Sequence, residues 1–384
     1  MKTLLKNTCI ILGLSGTLLT ACEKPDDFVD KGFDVDLFAQ KLKESFEGKT
    51  VGYGFAIGKD GKIARHGSGG LARRGIDQPE IDYLVTTRQG IGSCSKTITA
   101  LAVLKALEDK GLNENALLWE LLPPSWNIPA ANRKITVGQL LAHKAGLTHF
   151  GFTYAALRTC MQTPTTGFGD DQAFYDYDNV NFLMCRVLLP CIVKGKAAFE
   201  GQTDIATDEA VSQFYRSYVR EQIFKAAGLP DYNMIDIGPW NNLGPITPKF
   251  PDRTMTLYYN YSEPVWHGIM RYTPYLEAGA GGWYMNAPEV AQVMLTAEKN
   301  KYVSAAMLKR MKDKLMGFDG VIAGAHGSYV WKNGAWSDAE DRGIFTVIMY
   351  FPNNVQVAWH TNSRKTTIGD PMNVIAKAYD GSWR

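Results

Sequence analysis

The feature that most constrains the fold is the segment 89–112, which has the pattern of a helix buried on most of its surface. Within it, Ser93 stands three residues before Lys96, so the two side chains share one helical face. A cationic side chain is thus carried into the start of a buried helix, beside a hydroxyl group. Gly111 supplies a stop signal, and the apolar residues follow helical spacing: Ile98, Leu101, Ala102, Leu104 and Leu107.

This arrangement has the parts of a nucleophilic site. A serine hydroxyl is a weak nucleophile until a base removes its proton, and a lysine acts as that base when burial favours its neutral form. The backbone N–H groups at a helix start can hold the oxyanion that forms when a carbonyl is attacked. The structural alternative is that Ser93 caps the helix and Lys96 is an ordinary helical lysine.

The N-terminus has the pattern of a bacterial secretion signal. Two lysines precede a short apolar run, and Leu19-Thr20-Ala21-Cys22 resembles the lipobox of bacterial lipoproteins. We therefore predict a signal peptide over residues 1–21, a lipid on Cys22 and a polar tether over 22–44. The protein would then be lipid-anchored in the cell envelope of a bacterium, periplasmic or associated with the outer membrane. The alternative is an ordinary signal peptide with Cys22 incidental.

Charge and cysteine content exclude several classes of function. Removal of Lys2 and Lys6 with the signal leaves 39 basic and 39 acidic residues, without a basic run, so we expect no nucleic-acid partner. Export permits disulfides, and a disulfide between Cys160 and either Cys185 or Cys191 remains an open alternative. No HExxH motif and no Cys/His zinc spacing occurs, so we expect no zinc site.

Strand patterns lie at both ends of the chain. A hairpin begins at Val51, with its turn at Lys59-Asp60-Gly61, and two strands flank Pro352-Asn353-Asn354 before a final helix over 371–379. Mostly helical patches lie between them. We predict an α/β (α+β) fold in which an antiparallel sheet from both termini is flanked by helices and carries an inserted helical lobe.

The predicted boundaries follow from this pattern. The domain covers 45–384, with a sheet lobe formed by 45–95 and 318–384 and a helical lobe over 96–317. A long loop rich in Tyr and Trp, 238–275, either roofs a cleft or packs its aromatic side chains onto the domain.

Two further patterns carry polar groups suited to catalysis. Tyr177 and Asn179 stand one residue apart before an apolar helical run, and a Tyr hydroxyl can relay protons while an Asn amide binds a carbonyl. His326-Gly327-Ser328 leads into the C-terminal strands and could line a cleft. The structural alternatives are helix capping and packing for the first pair, and a turn with a surface histidine for the second.

Taken in order, Ser93-x-x-Lys96, Tyr177-x-Asn179 and His326-Gly327-Ser328 resemble the three motifs of the serine β-lactamase and penicillin-binding protein superfamily. The resemblance is to its class C-type branch, which includes DD-peptidases and esterases. Two other segments, ITVGQLLAHKAGLTHF and GAGGWYMNAPEVAQVM, also resemble that branch. The resemblance implies a β-lactamase/transpeptidase-like fold with a serine hydrolase site.

The resemblance also implies a role for each residue. Ser93 would be acylated, Lys96 and Tyr177 would share the proton transfers, and Asn179 would bind substrate and Lys96. The third motif would line the substrate site, with His326 at the position where relatives have Lys or His and Ser328 in place of the usual Gly. The backbone N–H groups of Ser93 and Tyr329 would form the oxyanion hole, and Gly327 would belong to the same substrate site. The resemblance also implies that no metal or organic cofactor is needed.

The predicted function is an exported serine hydrolase that acts through a Ser93 acyl-enzyme. Its small-molecule or peptide substrate would be an amide or ester: a D-amino-acid peptide, a small ester or, less favoured, a β-lactam. An imidazole at position 326 suits a substrate carboxylate less well than a permanent ammonium does. The alternative is a non-catalytic, penicillin-binding-like sensor or binding lipoprotein in which Ser328 blocks deacylation.

Overall fold

The computed structural model describes residues 32–148, 151–165, 167–238, 256–271 and 273–384. The predicted signal peptide and Cys22 lie outside these ranges, and so do residues 239–255 of the aromatic loop. Within the described ranges, no helix combines the length and apolar character that crossing a membrane requires.

A nine-stranded, mostly antiparallel sheet forms the centre of the molecule and draws its strands from both ends of the chain, which confirms the predicted fold class. The chain's eleven described strands are β1 Gly52–Lys59, β2 Lys62–Arg73, β3 Ile81–Asp82, β4 Gln89–Gly90, β5 Tyr259–Asn260, β6 Tyr284–Met285, β7 Gly320–Gly324, β8 Gly327–Ser337, β9 Gly343–Phe351, β10 Val355–Thr361 and β11 Ser363–Arg364. Across the sheet, the strand order is β3, β2, β1, β10, β9, β8 and β7. β5 pairs with β9 at Gly343, and β11 pairs with β5. β4 and β6 form a separate pair.

Both predicted hairpins are present, and their turns explain the pairing. Asp60 and Gly61 join β1 to β2 with φ of +50° and +79°, and Asn353 and Asn354 join β9 to β10 with φ of +62° and +53°. Two consecutive left-handed residues give the turn whose twist matches that of the flanking strands, and Gly and Asn tolerate this conformation best. The sequence chemistry of these two turns therefore sets the register of the central strands.

Helices cover both faces of the sheet. The described α-helices are α1 Val35–Phe46, α2 Ser95–Asp109, α3 Leu118–Leu121, α4 Val137–Leu141, α5 Tyr154–Gln162, α6 Val180–Lys194, α7 Asp204–Val219, α8 Ala287–Glu298, α9 Ala305–Asp313 and α10 Pro371–Asp380. α8 packs on β1 and β10, and α1 and α10 pack together over the other face. α2 lies inside the helical lobe against α6 and α7, and its residues from Ser95 to Leu104 are all buried.

The predicted tether over 22–44 is too long at its C-terminal end. Asp34 caps α1 by accepting hydrogen bonds from the backbone N–H groups of Asp36 and Leu37. Phe38, Leu42 and Phe46, at a spacing of four, are fully buried in the core beneath the sheet. Burial of each such side chain contributes about 1.5–3 kcal/mol, so this segment is part of the domain and the tether ends before α1.

The described part of the aromatic loop contributes strand β5 to the sheet, although the loop lies within the predicted helical lobe. Tyr259 is in β5, and Tyr258 is also buried. The Tyr261 hydroxyl donates to the backbone oxygen of Gly48 at 2.7 Å. Of the two interpretations of this loop, packing therefore accounts for these three tyrosines.

Candidate active site

The candidate nucleophile lies on a tight turn that leads directly into the buried helix α2. A single 3₁₀ turn, Gly92–Cys94, precedes the first α-helical residue, Ser95. Gly92 has a φ of +52°, in the left-handed region that favours glycine. Ser93 stays partly exposed while its neighbours on the turn, Gly92 and Cys94, are buried, so its hydroxyl is the group this turn presents to a substrate.

Lys96 is completely buried one helical turn further on, and its amine has three neighbours. Nζ lies 3.0 Å from Ser93 Oγ, 2.8 Å from Asn179 Oδ1 and 2.6 Å from the backbone oxygen of Ala280. The last two atoms only accept hydrogen bonds. A neutral amine that donates to both of them therefore directs its lone pair at the Ser93 hydroxyl.

The electrostatic setting favours this neutral form. Burial holds the pKa of Lys96 well below its ordinary value, and the positive charge of Lys332 lowers the pKa further. Asn179 is brought to this point as the residue that begins α6, which packs against α2. The sequence-predicted base thus has the surroundings that a lysine requires in order to accept a proton from serine.

Tyr177 is the second hydrogen-bond partner of the nucleophile. Its hydroxyl donates a hydrogen bond of 2.8 Å to Ser93 Oγ, and its ring lies over Lys96, with Nζ 5.3 Å from the ring centroid. Burial raises the pKa of the phenol, which therefore stays protonated at neutral pH. Ser93 Oγ can thus accept from Tyr177 while it donates to Lys96.

A buried histidine supports Tyr177 from behind. The ring centroids of His143 and Tyr177 are 4.3 Å apart, and Nδ1 of His143 lies 3.3 Å from the Asn181 amide nitrogen. Burial lowers the pKa of His143 to about 2, so the ring is neutral and adds no charge to the site. The histidine of the sequence segment LLAHKAGL therefore contributes to the site by packing against Tyr177. The backbone φ of this residue, His143, is +57°.

The predicted third motif is wrong, because the structure places it away from Ser93. The His326 ring stacks on Trp383 with a centroid separation of 4.3 Å, and the backbone N–H of His326 donates to the Tyr329 hydroxyl. Tyr329 is itself buried in the core under the sheet and bonds Asp380. Ala325 and His326 form the β7–β8 turn, and Gly327 and Ser328 are the exposed first residues of β8.

The strand that reaches the nucleophile does so further along, at Lys332-Asn333-Gly334. A Cβ added to Gly334 would lie 2.1 Å from the backbone oxygen of Ile91 and 2.8 Å from the nitrogen of Ser93. At about 3.3 Å per strand residue, His326 lies roughly 26 Å from Gly334 along the strand. The third motif is therefore Lys332-x-Gly334, which has the lysine and the glycine usual in the family.

The oxyanion hole shifts with this correction. A Cβ on Gly92 would lie 3.0 Å from the backbone nitrogen of Ala335, so β8 and the nucleophile turn are in direct contact. The N–H groups of Ser93 and Ala335 are accordingly the candidate pair, with Ala335 in place of Tyr329. Lys332 Nζ lies 4.9 Å from the centroid of the Tyr177 ring.

A signal for the corrected motif exists in the sequence. The stretch YVWKNGAW carries one lysine in an otherwise mostly apolar strand, followed at the second position by glycine. A charged residue at an inward position of a strand is expensive unless it is paired, and it therefore marks a functional site. The assignment of the motif to His326-Gly327-Ser328 overlooked the Lys-x-Gly pattern that begins six residues later.

The remaining predictions about side-chain chemistry concern cysteines and metals. Four cysteines in the described residues are buried free thiols, so neither disulfide alternative forms: Cys94, Cys160, Cys185 and Cys191. In the same ranges, no group of three His, Cys, Asp or Glu side chains is arranged to hold a metal ion.

A known family model matches part of the chain. The β-lactamase family model matches residues 35–188, a range that contains Ser93, Lys96, Tyr177 and Asn179. No curated protein sequence matches the chain significantly.

Solved structures of three proteins share the fold. The β-lactamase/D-alanine carboxypeptidase from Yersinia pestis has a TM-score of 0.63 at 14% identity, covering 90% of this chain and 97% of that chain. The D-amino acid amidase from Ochrobactrum anthropi SV3 has a TM-score of 0.62 at 13% identity, with 90% and 98% covered. A D-stereospecific amidohydrolase from Streptomyces sp. has a TM-score of 0.60 at 17% identity, with 91% and 99% covered.

The family match over residues 35–188 and the shared fold support the β-lactamase-type class predicted from the motifs. The resemblance to the serine β-lactamase and penicillin-binding protein superfamily is thereby confirmed. At identities of 13–17% the solved structures share the fold, and this likeness does not extend to their substrates.

Two substitutions distinguish the predicted third motif from the corrected one. Lys332→Met is expected to lower kcat/KM for an activated ester about a hundredfold, because it removes the charge that faces Tyr177 and depresses the pKa of Lys96. His326→Ala should leave kcat/KM within about twofold of wild type, because its ring packs on Trp383. Ester hydrolysis by both variants, with thermal melts to verify folding, measures this. A folded but inactive His326→Ala protein would contradict the assignment.

Proposed function

We propose that this protein hydrolyses an amide or ester through an acyl-enzyme on Ser93. The observation that carries the proposal is the position of Ser93 Oγ, which lies 3.0 Å from a buried lysine amine and 2.8 Å from a tyrosine hydroxyl. A helix cap would require neither contact. Nucleophile, base and proton donor are therefore already within hydrogen-bond distance of one another.

The reaction follows from these contacts. Ser93 Oγ forms a bond to the substrate carbonyl carbon while its proton passes to Lys96 Nζ. The carbonyl oxygen becomes an oxyanion that the N–H groups of Ser93 and Ala335 stabilise. The C–N or C–O bond then breaks, and the leaving group takes a proton through Tyr177. Water attacks the acyl-Ser93 ester, its proton returns through the same groups, and the free acid leaves.

The best-supported substrate is a small D-amino-acid amide, peptide or ester. This choice rests on the relatives of the same fold, which include a D-amino acid amidase and a D-alanine carboxypeptidase. β-Lactam turnover is the less favoured alternative within the same mechanism.

The experiment compares wild type with Ser93→Ala on a nitrophenyl ester, on nitrocefin and on a panel of D-alanyl peptides. Loss of the nucleophile is expected to lower kcat at least about a thousandfold. Intact mass spectrometry should detect a transient acyl adduct on the peptide that contains Ser93 in the wild type only. Equal rates for wild type and Ser93→Ala would refute the proposal.

The rival function is a binding lipoprotein that is acylated once and does not turn over. Its basis was Ser328 in the third motif, and this basis is lost because Gly334 occupies the position beside Ser93. A single stoichiometric burst of product, without a steady state, would nevertheless favour the binder. Sustained turnover would favour the hydrolase.

We further propose export and attachment to the bacterial cell envelope by a lipid on Cys22. The support is the sequence pattern at residues 1–22. Mass spectrometry of protein extracted from membranes should find an acylated Cys22 at the mature N-terminus. An unmodified Cys22, or retention of residues 1–21, would contradict this proposal.

A further inference from the structure

The lysine of the corrected third motif already has an internal counter-ion. Lys332 is 1% exposed, and its Nζ donates to Asp319 Oδ1 at 2.6 Å. The second carboxylate oxygen, Oδ2, accepts the backbone N–H of Asn333 at 3.1 Å. Asp319 thus binds both the side chain and the adjacent backbone of the strand segment that faces Ser93.

A second cation near this strand is neutralised in the same way. Arg271 lies over the ring of Trp336, the residue after Ala335, at 4.8 Å from the centroid. Its guanidinium donates to both carboxylate oxygens of Glu277, at 2.9 and 2.7 Å. Lys332 and Arg271 each therefore meet a carboxylate of the protein before any substrate arrives.

We propose that Asp319 determines the substrate class of this site, which accepts substrates whose leaving group is uncharged and discriminates against those that carry a carboxylate there. This inference rests on the proposed hydrolase function and specifies its substrate. In the family pattern an ammonium in the third motif suits a carboxylate substrate. Here the ammonium is already paired, and an incoming carboxylate would approach Asp319 as a like charge.

The test uses two esters that differ in a single group. Both carry an N-acetyl-D-phenylalanyl acyl group, and the leaving groups are 3-hydroxybenzoate and 3-hydroxybenzamide. For wild type, kcat/KM for the carboxamide ester should exceed that for the carboxylate ester by about tenfold or more. A wild-type ratio at or below one would overturn the inference.

Variants of Asp319 assign the preference to this residue. Asp319→Asn leaves Lys332 without its counter-ion, so a substrate carboxylate can supply one, and the ratio should fall about tenfold or more. Asp319→Glu keeps the charge and should keep the ratio within about threefold of wild type. An unchanged ratio in a folded Asp319→Asn protein would overturn the assignment, because a purely structural role would change both rates together.

Binding measurements separate this inference from the proposed function. If wild type and Ser93→Ala both hydrolysed the esters no faster than buffer does, the hydrolase proposal would fail. Calorimetric titration of Ser93→Ala with each intact ester would still measure the charge preference, since no turnover is needed. Tighter binding of the carboxamide ester supports the role of Asp319, and tighter binding of the carboxylate ester overturns it. This measurement also holds if Asp319→Asn does not fold.

Discussion

Lys96→Met is expected to lower kcat/KM for an activated ester by about 10²–10⁴-fold, which is the range for loss of a positioned general base. Methionine has a similar length but cannot accept a proton from Ser93 or donate to Asn179 Oδ1. Steady-state ester hydrolysis measures the loss. Lys105→Met is the matched control, because Lys105 lies on the same helix and its Nζ pairs with Asp109 at the surface. Lys105→Met should retain wild-type activity.

The same variant has a signature in the pH dependence. Because burial lowers the pKa of Lys96, the folded protein keeps the amine neutral down to that lowered pKa, while the unfolded chain takes up a proton below 10.5. Between these two values the unfolded state binds more protons, so the free energy of unfolding rises with pH in this interval. The slope from one such group is at most about 1.4 kcal/mol per pH unit.

Activity follows the same titration. kcat/KM of wild type should rise with pH through the lowered pKa of Lys96 and then level off, since the neutral amine is the active form. Urea unfolding at several pH values should show the stability of wild type increasing relative to Lys96→Met as the pH approaches 10.5. A pH-independent difference, or a Lys96→Met protein with near wild-type activity, would contradict the assignment of Lys96 as a buried neutral base.

Gly334→Ala is expected to lower kcat/KM about a hundredfold. The new Cβ would lie 2.1 Å from the Ile91 backbone oxygen and 2.8 Å from Ser93 N, so β8 must move away from the nucleophile turn by about 1 Å. That displacement separates the two N–H groups proposed to hold the oxyanion. Overpacking of this kind also costs about 1–3 kcal/mol of stability, which thermal unfolding would detect.

Gly281→Ala provides the control for this change. A Cβ at Gly281 would meet only the backbone oxygen of Gly92, at 3.9 Å, which is ordinary contact. It is the same substitution near the same turn, so its activity should stay within a few-fold of wild type. Gly334→Ala activity within about threefold of wild type would show that the close approach of β8 is not required.

Local chemistry explains why part of this molecule could be predicted from its sequence. The buried helix α2, the two hairpin turns and the Ser93–Lys96 pair depend on residues within a few positions of one another. α1 also carried a readable signal, since Asp34 precedes Phe38, Leu42 and Phe46 at helical spacing. Its charged residues led to its assignment as a tether.

The third motif could not be located by local pattern alone. His326 and Lys332 are six residues apart, so the two-residue period of a strand assigns both to the same face. His326 is followed directly by Gly327, and Lys332 is followed at the second position by Gly334. What distinguishes them is which point of β8 lies against the Ser93 turn, and long-range packing of Gly334 on Ile91 determines that point. The pairing of Asp319 with Lys332 depends on the same long-range packing.

The central pair of strands joins the two ends of the chain, since Tyr53 in β1 faces Thr361 in β10, and Phe33 bridges Trp383. A ribosome must therefore synthesise the chain as far as β10 before this sheet can close. Closing so long a loop carries a large entropic cost, and such nonlocal topologies form slowly. Chains that terminate early, before β10, would leave β1 as an unprotected edge, which makes truncated products prone to aggregation.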